Sequence, residues 1–153
     1  MEKVKLFMSN FALSLLVYIT SIILAYLLLA TMSHIGIPFT GRDSIPLWAR
    51  IISWLSGLIF IALYFFLGTR LKSLGSNWLN YLSVCGISVL AMATMIPPPY
   101  LAIYAQLPLL NLTMIINRVI KDVYIVTIIF AILPSIIIWL GMLYKTKKSM
   151  RSA

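Results

Sequence analysis

Three acidic residues, one histidine and one cysteine are all that this chain of 153 residues offers to acid–base, metal and redox chemistry. A single cysteine excludes an intrachain disulfide and a cysteine metal cluster. Cys85 sits in an apolar run and reads as a small packing residue. One histidine and one cysteine cannot supply the three or four ligands of a zinc site within one chain. The sequence has no Gly-rich phosphate loop, no serine-centred nucleophile elbow and no paired carboxylates within an apolar run. It therefore points to no catalytic, cofactor-binding or metal-binding residue.

Charge is scarce as well. Only 10% of residues are charged and 62% are hydrophobic, against about 25% and about 45–50% in soluble domains. The mean hydropathy is +1.04. Such a chain has too little polar surface to face water, so its solvent is lipid. No charged side chain occurs from Ser73 to Asn117. That stretch is the pivot of the topology. A helix crosses a bilayer core in about 20 apolar residues, so the stretch crosses once with a long apolar loop, or twice.

The net charge is +9, from twelve Lys and Arg against Glu2, Asp43 and Asp122. The cations sit at the ends of apolar segments and form no stripe, which excludes a nucleic-acid surface. They read as anchors and topology determinants that meet the lipid headgroups.

In order, the first segment covers approximately 9–32, with Ser9 and Asn10 as its expected cap. The apolar run Leu6–Ala30 is longer than the h-region of about 7–15 residues in a signal peptide, so a retained membrane helix is expected. Gly36, Pro38, Gly41 and Pro46 mark a connection. The second segment covers approximately 47–69, with Ser44 as cap, Arg50 snorkelling outwards and Gly68 as its end. The third covers approximately 78–96, capped at Ser76 and stopped by Pro97-Pro98-Pro99. Its small residues Ser83, Gly86, Ser88 and Ala91 predict deep burial in a bundle. The fourth covers approximately 123–144, and Pro134 predicts a kink. Ser21 with Ala25, Ser53 with Gly57, and Ala131 with Ser135 are small pairs that favour close helix approach. Residues 97–117, interrupted by Gln106, Pro108, Asn111 and Thr113, read as an interfacial or re-entrant segment, with a fifth span as the alternative.

Four spans place eight of the twelve cations on one face, which marks the cytoplasmic side. Five spans would separate the two basic ends. The expected object is an all-α polytopic membrane protein, residues 1–153 forming one domain, with four transmembrane helices as two hairpins in one small bundle. Both termini are expected in the cytoplasm and the bundle in a plasma membrane, a bacterial inner or cell membrane. Short echoes accompany this layout: Ser9-Asn10-Phe11 with Ser76-Asn77-Trp78, and Leu67-Gly68 with Leu140-Gly141. Biased composition makes such matches cheap, and chance is the preferred explanation.

Functional readings are constrained chiefly by absence. No ionisable group falls deep in a predicted span, which argues against a proton-coupled carrier or pump. His34 with Asp43, and Arg118 with Asp122, are the only pairs an outer-face lipid or peptide enzyme could use; they read more simply as interfacial polar residues and a helix-surface ion pair. The sequence favours a small non-enzymatic accessory, modulatory or protective subunit acting through helix packing and outer loops. A homo-oligomeric channel or facilitator is the alternative. Membrane lipid is the expected surrounding, and a larger membrane complex or self-association the expected partner, with no nucleic acid.

Overall fold

Glu2 opens a helix that nothing interrupts for 33 residues, α1 at Glu2–His34. The computed structural model describes residues 1–34, 47–93, 109, 120 and 123–151. All regular structure among them is helical: after α1 come α2 at Leu47–Arg70, α3 at Asn77–Leu82, α4 at Gly86–Ala93 and α5 at Val123–Arg151.

The expected start of α1 near residue 9 is too late. The Lys5 amide already bonds the Met1 carbonyl at 3.2 Å, and Glu2 in the first turn complements the helix dipole. Ser9 and Asn10 therefore cap nothing. Asn10 instead donates Nδ2 to the Lys72 carbonyl at 2.8 Å, tying α1 to the end of α2. Likewise α5 outruns the expected end at 144, because Lys145–Lys148 continue the helix past its apolar part. Two of these helices, α1 and α5, are long and apolar enough to cross a membrane. Only 22% of the apolar window of α1 and 44% of that of α5 are buried, whereas the core helix of a soluble protein is mostly covered.

The third segment is not the continuous helix that its apolar run predicts. Ser83–Cys85 form a turn between α3 and α4. There Ser83 donates Oγ to the Asn80 carbonyl at 2.8 Å and Cys85 directs Sγ to the Leu82 carbonyl at 3.1 Å. The Val84 amide reaches Tyr81, three residues back, at 3.0 Å. Side chains that bond back to the ladder tighten it locally. Ser76 is extended and flanks α3 as expected but makes no side-chain cap. Asn80 holds that corner instead, accepting from the Leu74 amide at 2.7 Å and donating to Ser73 Oγ at 3.2 Å.

Helix directions follow from paired contacts. Asn10 meets Lys72 and Ser21 meets Tyr64, so α1 and α2 are antiparallel. Trp139 meets Asn77 and Ser135 meets Ser88, so α3–α4 and α5 are antiparallel. The most extensive contact joins α2 and α5, and these run parallel. Ile61 packs on the cluster that holds Val126 and Phe130, Phe65 meets Tyr144 with ring centroids 5.8 Å apart, and Leu71 meets Lys145. Gly68 and Gly141 form the crossing. A side chain on either would stand 3.0 Å from the other's Cα; on Gly68 it would overlap the Ile138 carbonyl, and on Gly141 the Phe65 carbonyl. Gly68 thus sits inside α2 and not at its end, because its missing Cβ lets two backbones touch. Gly57, expected at a close approach, has open space where its Cβ would be.

Ser44, the 97–117 segment apart from Leu109, and the Arg50 and Ser53 side chains lie outside the described residues. Leu109 is buried against Val126 and Phe130.

Candidate functional site

Beside an apolar core that includes Tyr18, Phe60, Ile87 and Ile138, the bundle buries a set of polar side chains and turns many large apolar ones outward. Asn10, Ser14, Ser21, Asn80, Ser83, Ser88 and Ser135 are buried, while Leu16, Leu58, Ile59 and Val89 are each about 60% exposed. Water would penalise that surface; lipid does not. The inward groups lie on one line along α1, where Asn10, Ser14, Tyr18, Ser21 and Ala25 recur at intervals of three and four and share a face.

Ser14 and Ser83 bond back to carbonyls three residues before them, at Phe11 and Asn80, while other inward groups join one helix to another. Ser21 and the Tyr64 hydroxyl bond each other across α1 and α2. Ser88 donates to Ser135 at 2.7 Å, and Ser135 donates to the Val84 carbonyl at 3.1 Å. The last bond serves a carbonyl displaced by the turn between α3 and α4. Among the described residues every buried side-chain nitrogen and oxygen has a hydrogen-bond partner. An unpaired polar group in hydrocarbon costs several kcal/mol, so the seam is a set of satisfied fasteners.

One end of the bundle collects cations and aromatics. The start of α1, the end of α2, the start of α3 and the end of α5 meet there. Trp139 donates Nε1 to the Asn77 carbonyl at 3.2 Å, and Lys145 donates Nζ to the Leu71 carbonyl at 3.0 Å. Tyr81 lies edge-on to Trp139 at 5.9 Å and 6.2 Å from Trp78. Arg70 sits over the Phe66 ring at 4.8 Å. Amphipathic rings with flanking Lys and Arg fit the headgroup level of a bilayer.

A groove of about 440 Å³ opens on the bundle's side between α1 and α3–α4. Phe7, Phe11 and Leu15 form one wall; Leu82, Cys85, Val89 and Ala93 form the other. The Phe11 ring occupies the place where a side chain on Gly86 would stand. Phe7 also borders a second, smaller hollow with Lys3, Val4, Leu74 and Leu79. This groove gives Cys85 a setting that the sequence alone does not: half-buried, and on a wall open to the bundle's flank.

Of the polar pairs considered for chemistry, His34 is exposed at the end of α1; Asp43, Arg118 and Asp122 lie outside the described residues. Among the described residues no three His, Cys, Asp or Glu side chains gather to hold a metal ion. The hydroxyl seam was only partly foreseeable: Ser21 and Ser135 stand out as small residues, but Tyr64 as the partner of Ser21 carries no sequence signal. Compared with family models, curated proteins and solved structures, the chain matches none.

Proposed function

We propose that this chain is a non-enzymatic membrane subunit, accessory, modulatory or protective, that works by helix packing. It spans the membrane four times, through α1, α2, α3–α4 and α5. Both ends of the chain lie at the cationic, cytoplasmic face of a plasma membrane. The observation that carries the reading is the use made of the intramembrane polar groups. Asn10, Ser21, Tyr64, Ser88 and Ser135 hold helices to one another, so the chemistry in the bundle is structural. The parallel α2–α5 pair supports the span count, since two hairpins laid side by side in one orientation require it.

The test is extraction from native membranes in a mild detergent, followed by affinity capture and reconstitution in liposomes. The expected result is a stable complex with a larger membrane protein and no solute or ion flux from the chain alone. A defined homo-oligomer that conducts ions or solutes would overturn the proposal in favour of a channel.

A further inference from the structure

We infer that the lateral groove between α1 and α3–α4 is a binding site for one acyl chain of an anionic phospholipid of the cytoplasmic leaflet. The inference rests on the membrane-spanning reading and adds to it a specific ligand. Three observations carry it. The first is lining. Phe7, Phe11, Leu15, Leu82 and Val89 present only carbon, and the one heteroatom among the side chains, the Cys85 sulfur, is already directed to the Leu82 carbonyl. Such a surface offers an occupant no polar bond, which suits a hydrocarbon chain. The second is length. Lys3 to Leu15 spans ~18 Å along the helix, close to the ~15 Å of one leaflet's hydrocarbon. The third is charge. A second hollow that shares Phe7 with the groove is lined by Lys3, at the end of the bundle that also holds Arg70, Lys72 and Lys145. An acyl chain laid in the groove brings its phosphate to that cationic mouth.

A partner helix fits less well. Helices associate in membranes through small residues that admit a second backbone. Gly86, the small residue at the base of this groove, is instead covered by the Phe11 ring.

The test uses the full chain in nanodiscs with equal parts phosphatidylglycerol and phosphatidylcholine, extracted gently and weighed intact by native mass spectrometry. The expected result is retained phosphatidylglycerol, favoured at least fivefold over phosphatidylcholine. Lys3→Gln lowers that preference about fivefold, the worth of one cation near a headgroup. Val89→Trp fills the groove from an exposed position and abolishes retention of both lipids. Should that variant not fold, Ala93→Leu on the same wall carries the same expectation. Equal retention of the two lipids by the unmodified protein, or retention that a folded groove-filling variant leaves unchanged, would overturn the inference. So would protection of Cys85 from alkylation that rises with protein concentration, since the occupant would then be a second copy. Failure here leaves the span count standing, because sidedness is tested by a separate measurement.

Discussion

Gly68→Ala tests the parallel seam between α2 and α5 with a single methyl group. Its Cβ would overlap the Ile138 carbonyl and stand 3.0 Å from the Gly141 Cα. Both obstacles are backbone, so no rotamer change relieves the clash and the helices must separate. Overpacking of this kind costs about 1–3 kcal/mol, and a rigid obstacle places it near the upper value. Replacing glycine by alanine in a helix returns up to about 1 kcal/mol. The net expectation is a loss of ~2 kcal/mol. Gly57→Ala is the control, because open space surrounds the position where its Cβ would be; it should be neutral or gain up to about 1 kcal/mol. The two variants, one methyl apart from the same parent, should thus differ by ~3 kcal/mol in reversible unfolding in mixed micelles. A Gly68→Ala protein as stable as the parent, or a Gly57→Ala protein less stable than Gly68→Ala, would refute the close crossing. Gly141→Ala should repeat the Gly68 result, since its Cβ would overlap the Phe65 carbonyl.

Three further outcomes are expected. A double-mutant cycle on Ser21→Ala and Tyr64→Phe should give a coupling of about 0.6 kcal/mol and no more than about 1.7, the range of interhelical hydrogen bonds in membranes; a cycle showing no coupling would mean that the two hydroxyls do not meet. Ser135→Ala leaves Ser88 without its acceptor and the Val84 carbonyl without that donor, so unfolding titrations should record a loss of about 1–3 kcal/mol, whereas Thr146→Ala, whose hydroxyl bonds only its own helix at Met142, should fall within about 0.5 kcal/mol of the parent. In intact membranes Cys85 should react with an apolar maleimide and resist a charged, impermeant thiol reagent, because the side chains around it in the groove are apolar; rapid labelling by the impermeant reagent would place the groove in water.

The all-helical architecture, with two helices long and apolar enough to cross a membrane, was legible in long apolar runs with breakers between them. The boundaries of α2 follow from Leu47 to Arg70 almost as read. Local departures trace to interactions that run across the chain. The break at Ser83–Cys85 depends on side chains turning back onto carbonyls and on a donor from Ser135, 51 residues away. Asn10 looked like a cap because short polar side chains favour caps; its partner is the Lys72 carbonyl, 62 residues on. Gly68 looked like a helix end because Arg70 follows. Its role as a crossing point depends on Gly141, which no local pattern connects to it. The two glycines of the Leu67-Gly68 and Leu140-Gly141 echo, which is attributed to chance and composition, lie against each other at that crossing. Of the candidate site, the small residues were readable and the groove was not, since its walls come from α1 and from α3–α4, and their spacing is set by the Phe11 ring on Gly86.

The central claim is that this chain is threaded through lipid as two hairpins of one orientation, with its cations gathered on one side. Reporter fusions at Thr40, Leu74, Ala105 and Ala153 test it most directly. The account predicts cytoplasmic signals at Leu74 and Ala153 and external signals at Thr40 and Ala105. Opposite-sided signals at Leu74 and Ala153 would contradict it.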